Sequence, residues 1–309
     1  MQHKKYVPFL VIVVLTLIWS STWLAIKIGL ESLPPFLAAG WRFLLAFATL
    51  FFFSLKMNRP IPKDLRTHLF FLGFSFINFT AGYGLVYWGE QYINSGLASV
   101  LFTVMPFYVA IFSIKLLPSE NINWKKMAGI LIGFLGVVII FSDQLQLSGA
   151  NALYGMIAVL ISPAFSALGT IVGKIARARF HPVTLNTFPM LYASLSLFAI
   201  HFAVEPNAAV KYDAKAGLSL LYLGVLGTAL AFVLYFWLLK TTSAVLMSLI
   251  TFVTPPLALF WGWLVKDERI TIQLILGMMV IFAGIFIVSK ASQKKAGSTN
   301  PPIASKKGM

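Results

Sequence analysis

Long apolar runs separated by short polar segments dominate this chain. About 20 consecutive apolar residues are needed for an α-helix to cross the hydrocarbon core of a bilayer. The pattern therefore predicts ten membrane spans, numbered 1 to 10 in chain order. They cover residues 6–27, 36–55, 67–88, 95–115, 125–141, 152–173, 183–204, 216–238, 243–264 and 270–289.

The sequence carries an internal duplication. The matched positions are Ser99, Pro106, Glu120, Gly129 and Gly136 in the first half and Ser248, Pro255, Glu268, Gly277 and Gly284 in the second. The offset is 149 residues up to the prolines and 148 from the glutamates onward. Each half holds five spans, an odd number, so the second half must enter the membrane from the opposite side. The predicted fold is an all-α integral membrane protein of two inverted five-helix repeats, residues 8–142 and 151–290, joined at the polar seam Ser142–Ala150.

Composition agrees with a membrane protein. The 309 residues are 59% hydrophobic and only 11% charged, with a mean hydropathy of +0.86. The first apolar run resembles a signal peptide, but it is too long and is followed by further spans, so we expect it to be the first anchor. The chain has no cysteine. Disulfides, thiol catalysis and cysteine-ligated metals are therefore excluded.

The net charge of +15 raises the question of a nucleic-acid partner, and the placement of the charges argues against one. With the N-terminus inside, inner segments carry eighteen of the 24 Lys and Arg residues, outer segments carry five, and Arg42 lies within a span. This asymmetry is the positive-inside rule. It predicts a multi-pass cell-membrane protein with both termini in the cytoplasm, and a disordered basic cytoplasmic tail at residues 291–309.

The duplicated pattern resembles the drug/metabolite transporter superfamily, in particular the EamA-type ten-helix transporters. The residues that carry the resemblance are the run Ile18–Lys27, the sequence Leu33-Pro34-Pro35 followed by Arg42-Phe43, and the two Pro…Glu…Gly…Gly blocks. The resemblance implies transport of amino acids, other metabolites or drugs, mostly outward, without a cofactor. The small four-helix multidrug members use a glutamate in their first helix for proton coupling. Span 1 has no such glutamate here and offers Trp19, Ser20, Ser21 and Thr22 instead.

Small and polar residues form matching stripes on spans 4 and 9. The residues are Ser95, Ser99, Thr103 and Pro106, and Ser248, Thr251 and Pro255. Their spacing of three and four places each set on one helix face. Such a face either lines a substrate pathway or lets helices pack closely. The two prolines predict paired kinks, which either surround a midplane site or serve packing alone.

Aromatic and amide side chains form a second set of pathway candidates: Trp19, Ser20, Trp23, Asn78, Tyr83, Tyr87, Trp88 and Tyr235. Trp19 lies thirteen residues beyond Tyr6, about 20 Å along a helix, which is deeper than an interfacial belt requires. A deep tryptophan either lines a cavity or packs against a neighbouring helix.

A few charged residues and glycines complete the inventory. By the span count, Lys27, Arg42, Glu90 and His201 lie near the outer surface, where we expect them to act as anchors or to form loop ion pairs. The glycines of spans 5 and 10 provide close contacts, either within one chain or between two chains as a homodimer. These glycines are Gly129, Gly133, Gly136, Gly277 and Gly284.

These features predict a secondary transporter, an exporter that works by alternating access. No GxxxxGK[ST] loop for ATP is present, and the uncharged, aromatic and hydroxyl-lined site fits a small amphipathic solute such as an amino acid, an amine or a drug. A lipid flippase or a passive channel on the same fold stays open. An enzyme is not expected, because the only adjacent acids, Asp267 and Glu268, lie in a loop and no HExxH motif occurs. The expected partners are the solute and membrane lipids, with no metal and no nucleic acid.

Overall fold

The computed structural model describes residues 3–59, 61–116, 124–176, 179–241 and 244–296. Helices account for nearly all of these ranges, and each predicted span falls mainly within them. The elements are α1 (His3–Gly29), α2 (Pro35–Lys56), α3 (Leu65–Ser75), π1 (Phe76–Ala81), α4 (Gly82–Glu90), α5 (Ser95–Phe102), α6 (Met105–Leu116), α7 (Trp124–Ala176), α8 (Pro182–Val204), α9 (Ala214–Leu221), π2 (Tyr222–Leu230), α10 (Ala231–Thr241), α11 (Ala244–Lys266) and α12 (Ile272–Ala296). The labels π1 and π2 denote π-helical segments.

Six helical segments in the described chain are long and apolar enough to cross a membrane. They are Val7–Gly29, Pro35–Lys56, Leu65–Glu90, Asn151–Ala176, Pro182–Val204 and Ala214–Leu238. Shorter apolar helices cover Ser95–Val109, Met127–Ile140 and Ile272–Ile287. The all-helical membrane fold expected from the hydropathy pattern is therefore present, whereas the count of ten crossings stays a prediction.

Element boundaries of the first half recur in the second half at the offsets seen in the sequence. The helices α4 and α10 begin 149 residues apart, and so do α5 and α11. The segments π1 and π2 end 149 residues apart, and α7 and α12 begin 148 apart. The duplication therefore extends from individual residues to the backbone, including the rare π-helical turns.

The helix α7 differs from the prediction because it runs through the seam Ser142–Ala150 without a loop. Nothing in that stretch stops a helix, since no proline occurs between Pro118 and Pro163. A straight helix of 53 residues would be about 80 Å long, far more than the roughly 30 Å of a hydrocarbon core. The polar seam thus separates two apolar stretches, Met127–Ile140 and Asn151–Ala176, within one continuous helix.

The predicted kink at Pro106 is present as a break between α5 and α6. The turn lies at Thr103 and Val104, where Val104 N–H reaches only the Leu101 carbonyl at 3.4 Å. Proline cannot donate a backbone hydrogen bond, and the Thr103 hydroxyl adds a competing bond to the Ser99 carbonyl at 3.0 Å. The matching break at Pro255 does not occur, because α11 is helical from Ala244 to Lys266.

Glycines of α7 and α12 bring the two helix backbones into direct contact. A Cβ on Gly136 would lie 2.6 Å from the Gly277 carbonyl oxygen, and a Cβ on Gly284 would lie 2.5 Å from the Gly129 carbonyl oxygen. The glycine faces of spans 5 and 10 therefore pack against each other within one chain. A homodimer through these two helices stays a prediction, and it would have to use other faces of them.

The two halves are joined through α1. Its Ser20 Oγ accepts a hydrogen bond from Trp261 Nε1 of α11 at 3.2 Å. Its Ala25 carbonyl accepts one from Ser219 Oγ of α9 at 2.6 Å, and Ser21 Oγ lies 2.6 Å from the Tyr222 hydroxyl. The first helix of the first half thus packs against helices of the second half. Side chains of α1, α2, α4 and α10 that face one another form the interior between the halves.

Candidate functional site

A row of aromatic rings crosses the interior between the two halves. Trp19 of α1 packs against Tyr235 and Phe232 of α10, with ring centroids 5.4 and 5.9 Å apart. Phe232 lies 6.2 Å from Tyr83 of α4. Three of the predicted pathway residues, Trp19, Tyr83 and Tyr235, are therefore brought together, with Phe232 as the connecting ring. Aromatic contacts at such distances add to packing.

Arg42 of α2 lies at one end of this row. Its guanidinium carbon is 4.7 Å from the Tyr83 ring centroid and 5.9 Å from that of Tyr87, the geometry of a cation–π contact. Its side chain is only 1% exposed. The expectation of a surface anchor is therefore wrong for Arg42. A count of residues along a helix gives depth, but it does not show which neighbouring helices cover a side chain.

The π-helical segment π2 explains how Arg42 is held. Arg42 Nε donates to Thr228 Oγ1 at 2.6 Å, and Nη2 donates to the Gly227 carbonyl at 3.4 Å. A π turn changes the hydrogen-bond register of the helix and leaves backbone groups for other partners. Gly224 allows the close approach, since a Cβ there would lie 2.6 Å from Leu45 Cβ and 3.0 Å from the Arg42 carbonyl oxygen. The guanidinium is thereby fixed by a segment from the other half.

Glu90, at the C-terminal end of α4, also differs from the expected anchor or loop ion pair. It is 0% exposed, so it neither reaches the surface nor forms a loop ion pair in the described chain. The neighbouring cation, Lys27 of α1, donates to backbone carbonyls of Glu90 and Ile93, both at 2.8 Å, and of Gln91 at 3.4 Å. Lys27 thus caps the C-terminus of α4, where a cation is favourable. His201 alone follows the expectation, since its Nδ1 lies 2.9 Å from Glu205 Oε2.

Several buried polar atoms lack a hydrogen-bond partner among the described residues. Most buried polar groups in folded proteins are paired, and an unpaired one costs about 1–3 kcal/mol. Three of them, Trp19 Nε1, Arg42 Nη1 and Tyr87 OH, belong to the aromatic row or to the contact between Arg42 and Tyr87 at its end. The others are Asn78 Nδ2, Thr80 Oγ1, Glu90 Oε1 and Oε2, Ser99 Oγ, Trp41 Nε1, Arg59 Nε, Asn186 Oδ1 and Ser194 Oγ.

Asn78 lies on π1, the counterpart of π2 in the first half. It is 4% exposed, and its side chain fills the space left by the absent side chain of Gly169 in α7. The amide therefore faces the protein interior, as predicted for a polar group that is costly in lipid. Its amide nitrogen is one of the unpaired atoms among the described residues. The contact with α7 therefore fills space but gives this nitrogen no hydrogen-bond acceptor.

The stripe on α5 is buried rather than exposed to a channel. Ser95, Ser99 and Thr103 are 0, 3 and 4% exposed. Ser95 is committed to structure, because its backbone N–H and its hydroxyl both donate to Glu268 Oε1, at 2.9 and 2.7 Å. Gly96 N–H donates to Glu268 Oε2 at 3.0 Å. Glu268 therefore caps α5 from another loop, a role that its position among loop residues did not indicate.

The remaining predicted residues lie apart from the aromatic row. Trp23 packs edge-on against Phe102 at 5.3 Å, and Trp88 packs against Tyr92 at 5.3 Å. Ser20 is fully buried at the contact with α11. Pro106 is partly buried just after the break, and Pro255 is buried in α11. The side chains of Ser248 and Thr251 fall outside the described part of the chain.

One end of the helix bundle is closed by hydrogen bonds and ion pairs between loops. Lys266 pairs with Glu31, and Ser32 Oγ donates to Asp213 Oδ2 at 2.8 Å. Glu205 precedes Asp213 in the same loop region, and its carboxylate accepts a hydrogen bond from Phe36 N–H at 3.3 Å. Together with the Glu268 cap, these contacts join the loops that the charge distribution places outside.

Residue patterns alone could not reveal that Arg42 and Glu90 are buried. Arg42 follows the Leu33-Pro34-Pro35 turn at the start of α2, and Glu90 is an acid at the end of an apolar run. The available signal was their spacing with aromatic residues. Tyr83, Tyr87 and Glu90 stand at i, i+4 and i+7, which is one helix face.

The fold defines a class: a multi-pass helical membrane protein built from two related halves, an architecture common among solute transporters. The comparisons agree. The model of the EamA-like transporter family matches residues 7–142 and 153–290. The chain therefore belongs to this family and is a membrane transporter. The gap between the matched ranges coincides with the polar seam in α7.

Individual relatives cover nearly the whole chain. The "Uncharacterized transporter YoaV" of Bacillus subtilis is 32% identical over 276 residues, covering 89% of this chain and 94% of that protein. The protein PagO of Salmonella typhimurium is 26% identical over 284 residues, covering 92% and 93%. A crystal structure with 17% identity superimposes with a TM-score of 0.67 over 93% of this chain and 98% of its own. That likeness concerns the fold alone.

Proposed function

We propose that the protein is a secondary exporter that moves a small amphipathic or zwitterionic solute, such as an amino acid, an amine or a drug, out of the cell by alternating access. The observation that carries this proposal is the enclosed row from Arg42 to Trp19, which offers one unpaired cationic donor among aromatic faces. Transport rather than catalysis is the conclusion we favour, and no cofactor enters it. Placement in the cell membrane with both termini inside is supported by the distribution of Lys and Arg.

The substrate class follows from the chemistry of Arg42. Nη1 of this buried guanidinium has no partner among the described residues, and the Tyr87 hydroxyl nearby has none either. A carboxylate is the natural guest for a guanidinium, because charge-assisted hydrogen bonds are about twice as strong as neutral ones. The rings of Tyr83, Phe232 and Trp19 would receive the apolar part of the same solute. This combination favours amino acids over simple amines.

Alternating access is supported by the duplicated backbone and by the closed end. Paired halves with matching helix boundaries are the usual basis for rocking about a shared site, and in such carriers the repeats are inverted. Residues from both halves hold Arg42, so a relative movement of the halves would change the site directly. The closed end corresponds to a conformation without access from outside.

Counterflow in liposomes tests the proposal. Purified protein is reconstituted, and uptake of labelled leucine, phenylalanine, threonine and a set of amines is measured against unlabelled solute inside. We expect saturable exchange of at least one of these compounds. Arg42→Gln should reduce exchange of an amino acid about tenfold or more, because a charged hydrogen bond is worth about 1.5–3 kcal/mol.

The matched control is Arg66→Gln, an exposed arginine at the start of α3, which should exchange like the wild type. Exchange that persists in Arg42→Gln would move the substrate site away from the aromatic row. Conduction that does not saturate would indicate a channel, and transbilayer movement of labelled lipid without solute exchange would indicate a flippase.

A further inference from the structure

Among the residues that the structure describes, Glu90 stands out as a buried acid without a bonded partner. It is 0% exposed, and neither carboxylate oxygen has a hydrogen-bond partner among the described residues. An ionised carboxylate buried without a partner is among the most costly arrangements in a protein. The neutral, protonated carboxyl avoids most of that cost, because only its hydrogen-bonding capacity is then unused.

Close helix packing next to Glu90 explains why water does not reach it. A Cβ on Gly89 would lie 2.7 Å from the Gly155 carbonyl oxygen and 2.8 Å from Val159, and a Cβ on Gly155 would lie 2.7 Å from the Gly89 carbonyl oxygen. The backbones of α4 and α7 therefore touch one residue before Glu90. The carboxyl is shielded by this contact as long as α4 and α7 stay together.

The cations near Glu90 are engaged elsewhere. Lys27 has three N–H donors, and backbone carbonyls of Glu90, Gln91 and Ile93 account for all three. Arg42 directs Nε and Nη2 toward π2. Both cations are close enough to act on Glu90 through space, but neither forms an ion pair with it in the described chain.

The other titratable groups around this position do not pair with Glu90 either. Glu268, in the loop after α11, is held by Ser95 and Gly96 at the start of α5. Tyr83 and Tyr87 lie on α4 itself, and both rings face the Arg42 guanidinium. Tyr154, the titratable residue of α7 between Asn151 and Gly173, is 58% exposed. Glu90 thus has charges within range but no bonded counter-ion.

The equivalent position in the second half of the repeat carries no acid. Equivalent helices α4 and α10 are related by the offset of 149, which pairs Trp88 with Trp237 and Glu90 with Leu239. The equivalent position in the second half is apolar, within a helix that continues to Thr241. A buried acid that its structural counterpart lacks, in a membrane helix, is a candidate for function rather than for stability.

We propose that Glu90 is the proton-binding site of the transport cycle. In the closed conformation its carboxyl carries the proton, and when the pathway opens to water the O–H bond ionises and the proton leaves to solvent. Rebinding of a proton restores the neutral carboxyl, with no other bond made or broken. The proposal rests on the proposed carrier function, because it needs a protein that exposes the site alternately.

The consequence is a split between two modes of transport. Net movement of substrate requires Glu90 to bind and release a proton in each cycle, so a pH gradient drives it. Exchange of substrate for substrate needs no net proton movement. A glutamine at this position imitates the neutral carboxyl permanently, so Glu90→Gln should keep exchange and lose the response to the gradient.

The first test needs no substrate. Infrared difference spectra of the purified protein between acidic and alkaline buffer report the C=O stretch of buried carboxyl groups that change protonation. We expect a band in the wild type that is absent in Glu90→Gln and still present in Glu31→Gln, whose acid pairs with Lys266 at the surface. Identical spectra for the wild type and Glu90→Gln would overturn the proposal.

The second test separates this proposal from the carrier function. Liposomes are loaded with a trapped pH dye, and transport of labelled leucine and phenylalanine is measured with and without a pH gradient. The expected result is gradient-driven transport with dye response in the wild type, and counterflow alone in Glu90→Gln. Counterflow in both proteins with no effect of the gradient overturns only the role of Glu90. Absence of counterflow in the wild type overturns the carrier itself.

Discussion

At the scale of single residues, Asp213 connects three segments at the closed end. Its carboxylate accepts from Ala216 N–H at 2.8 Å, which caps α9, and from Ser32 Oγ at 2.8 Å in the loop before α2. The Ser32 carbonyl in turn accepts from Lys211 N–H at 2.8 Å. These hydrogen bonds favour the ionised form, and they lower the pKa of Asp213 below 3.8.

The lowered pKa of Asp213 predicts an acid dependence of stability. A carboxyl with a lower pKa in the folded state stabilises the protein fully at pH above 3.8, and this contribution is lost as the pH falls through the folded value. Asp213→Asn should therefore unfold at a lower temperature than the wild type near neutral pH, and the difference should shrink in acid. Thermal unfolding in detergent across this pH range measures it.

The control for this prediction is Ser32→Ala, which removes one of the two side-chain contacts and leaves the helix cap. It should give a smaller difference with the same direction of pH dependence. A difference between wild type and Asp213→Asn that is constant from neutral to acidic pH would contradict the assignment, since it would not follow the charge of Asp213.

Trp19 and Arg42 differ in how much of their surroundings the sequence predicts. The depth of Trp19 along α1 left open a cavity or a packing contact, and in the structure Trp19 packs against Phe232 and Tyr235 of α10. Burial of Arg42 depends on a π-helical turn 186 residues away in the chain, whose Thr228 and Gly227 accept its hydrogen bonds. Hydropathy and spacing within one helix contain no information on such a distant partner.

At the scale of elements, the cap on α5 holds two separate segments together. Glu268 accepts three hydrogen bonds from Ser95 and Gly96, at the N-terminus of a helix whose dipole favours an anion. Gly262 of α11 makes room for it, because a Cβ there would overlap the carboxylate. Glu268 is thus one of the side chains that join the first and second halves at the closed end.

Removal of the charge at this cap should destabilise the protein. In Glu268→Gln one carboxylate oxygen becomes an NH2 group that cannot accept from a backbone N–H, so about 0.5–2 kcal/mol of unfolding free energy should be lost. A decrease in the thermal unfolding temperature in detergent measures it. Asp267→Asn is the control, since Asp267 is exposed with φ of 50°, a conformation that asparagine adopts readily. Equal unfolding temperatures for Glu268→Gln and the wild type would contradict the cap.

Elements differ in how well the sequence predicts them. The break before Pro106 follows from the missing backbone N–H of proline. The N-terminal ends of α2 and α8 follow from the prolines in their first turns. The π segments have no compositional signature, and they were seen only in the structure. The polarity of the seam in α7 predicts a loop, yet its leucines and glutamines are compatible with helix. Polar residues indicate that a segment is exposed to water, but they do not determine its backbone conformation.

At the scale of the whole molecule, the lack of cysteine allows a direct test of access to the interior. Ser99 is 3% exposed in the closed conformation, so Ser99→Cys should react slowly with a water-soluble thiol reagent. Addition of a transported solute should increase the labelling rate by about tenfold or more, since alternating access opens the pathway to water. Labelling is followed by mass spectrometry on reconstituted protein.

The control is Asn207→Cys in the exposed loop after α8, which should be labelled at the same high rate with and without solute. A slow rate for Ser99→Cys that solute does not change would indicate that α5 lies in permanent packing. This outcome would leave the aromatic row as the only pathway candidate within the described chain.

The backbone contact between α7 and α12 has a mechanical consequence. Glycines have no side-chain rotamers with which to adapt, so a shift of one helix along the other would drive the carbonyl oxygens of Gly136 and Gly277 into bulkier neighbours such as Ile140 and Ile281. Sliding of the two helices should therefore cost more free energy than pivoting about this contact. We expect it to act as the fulcrum of the carrier, a fixed axis around which the remaining helices swing.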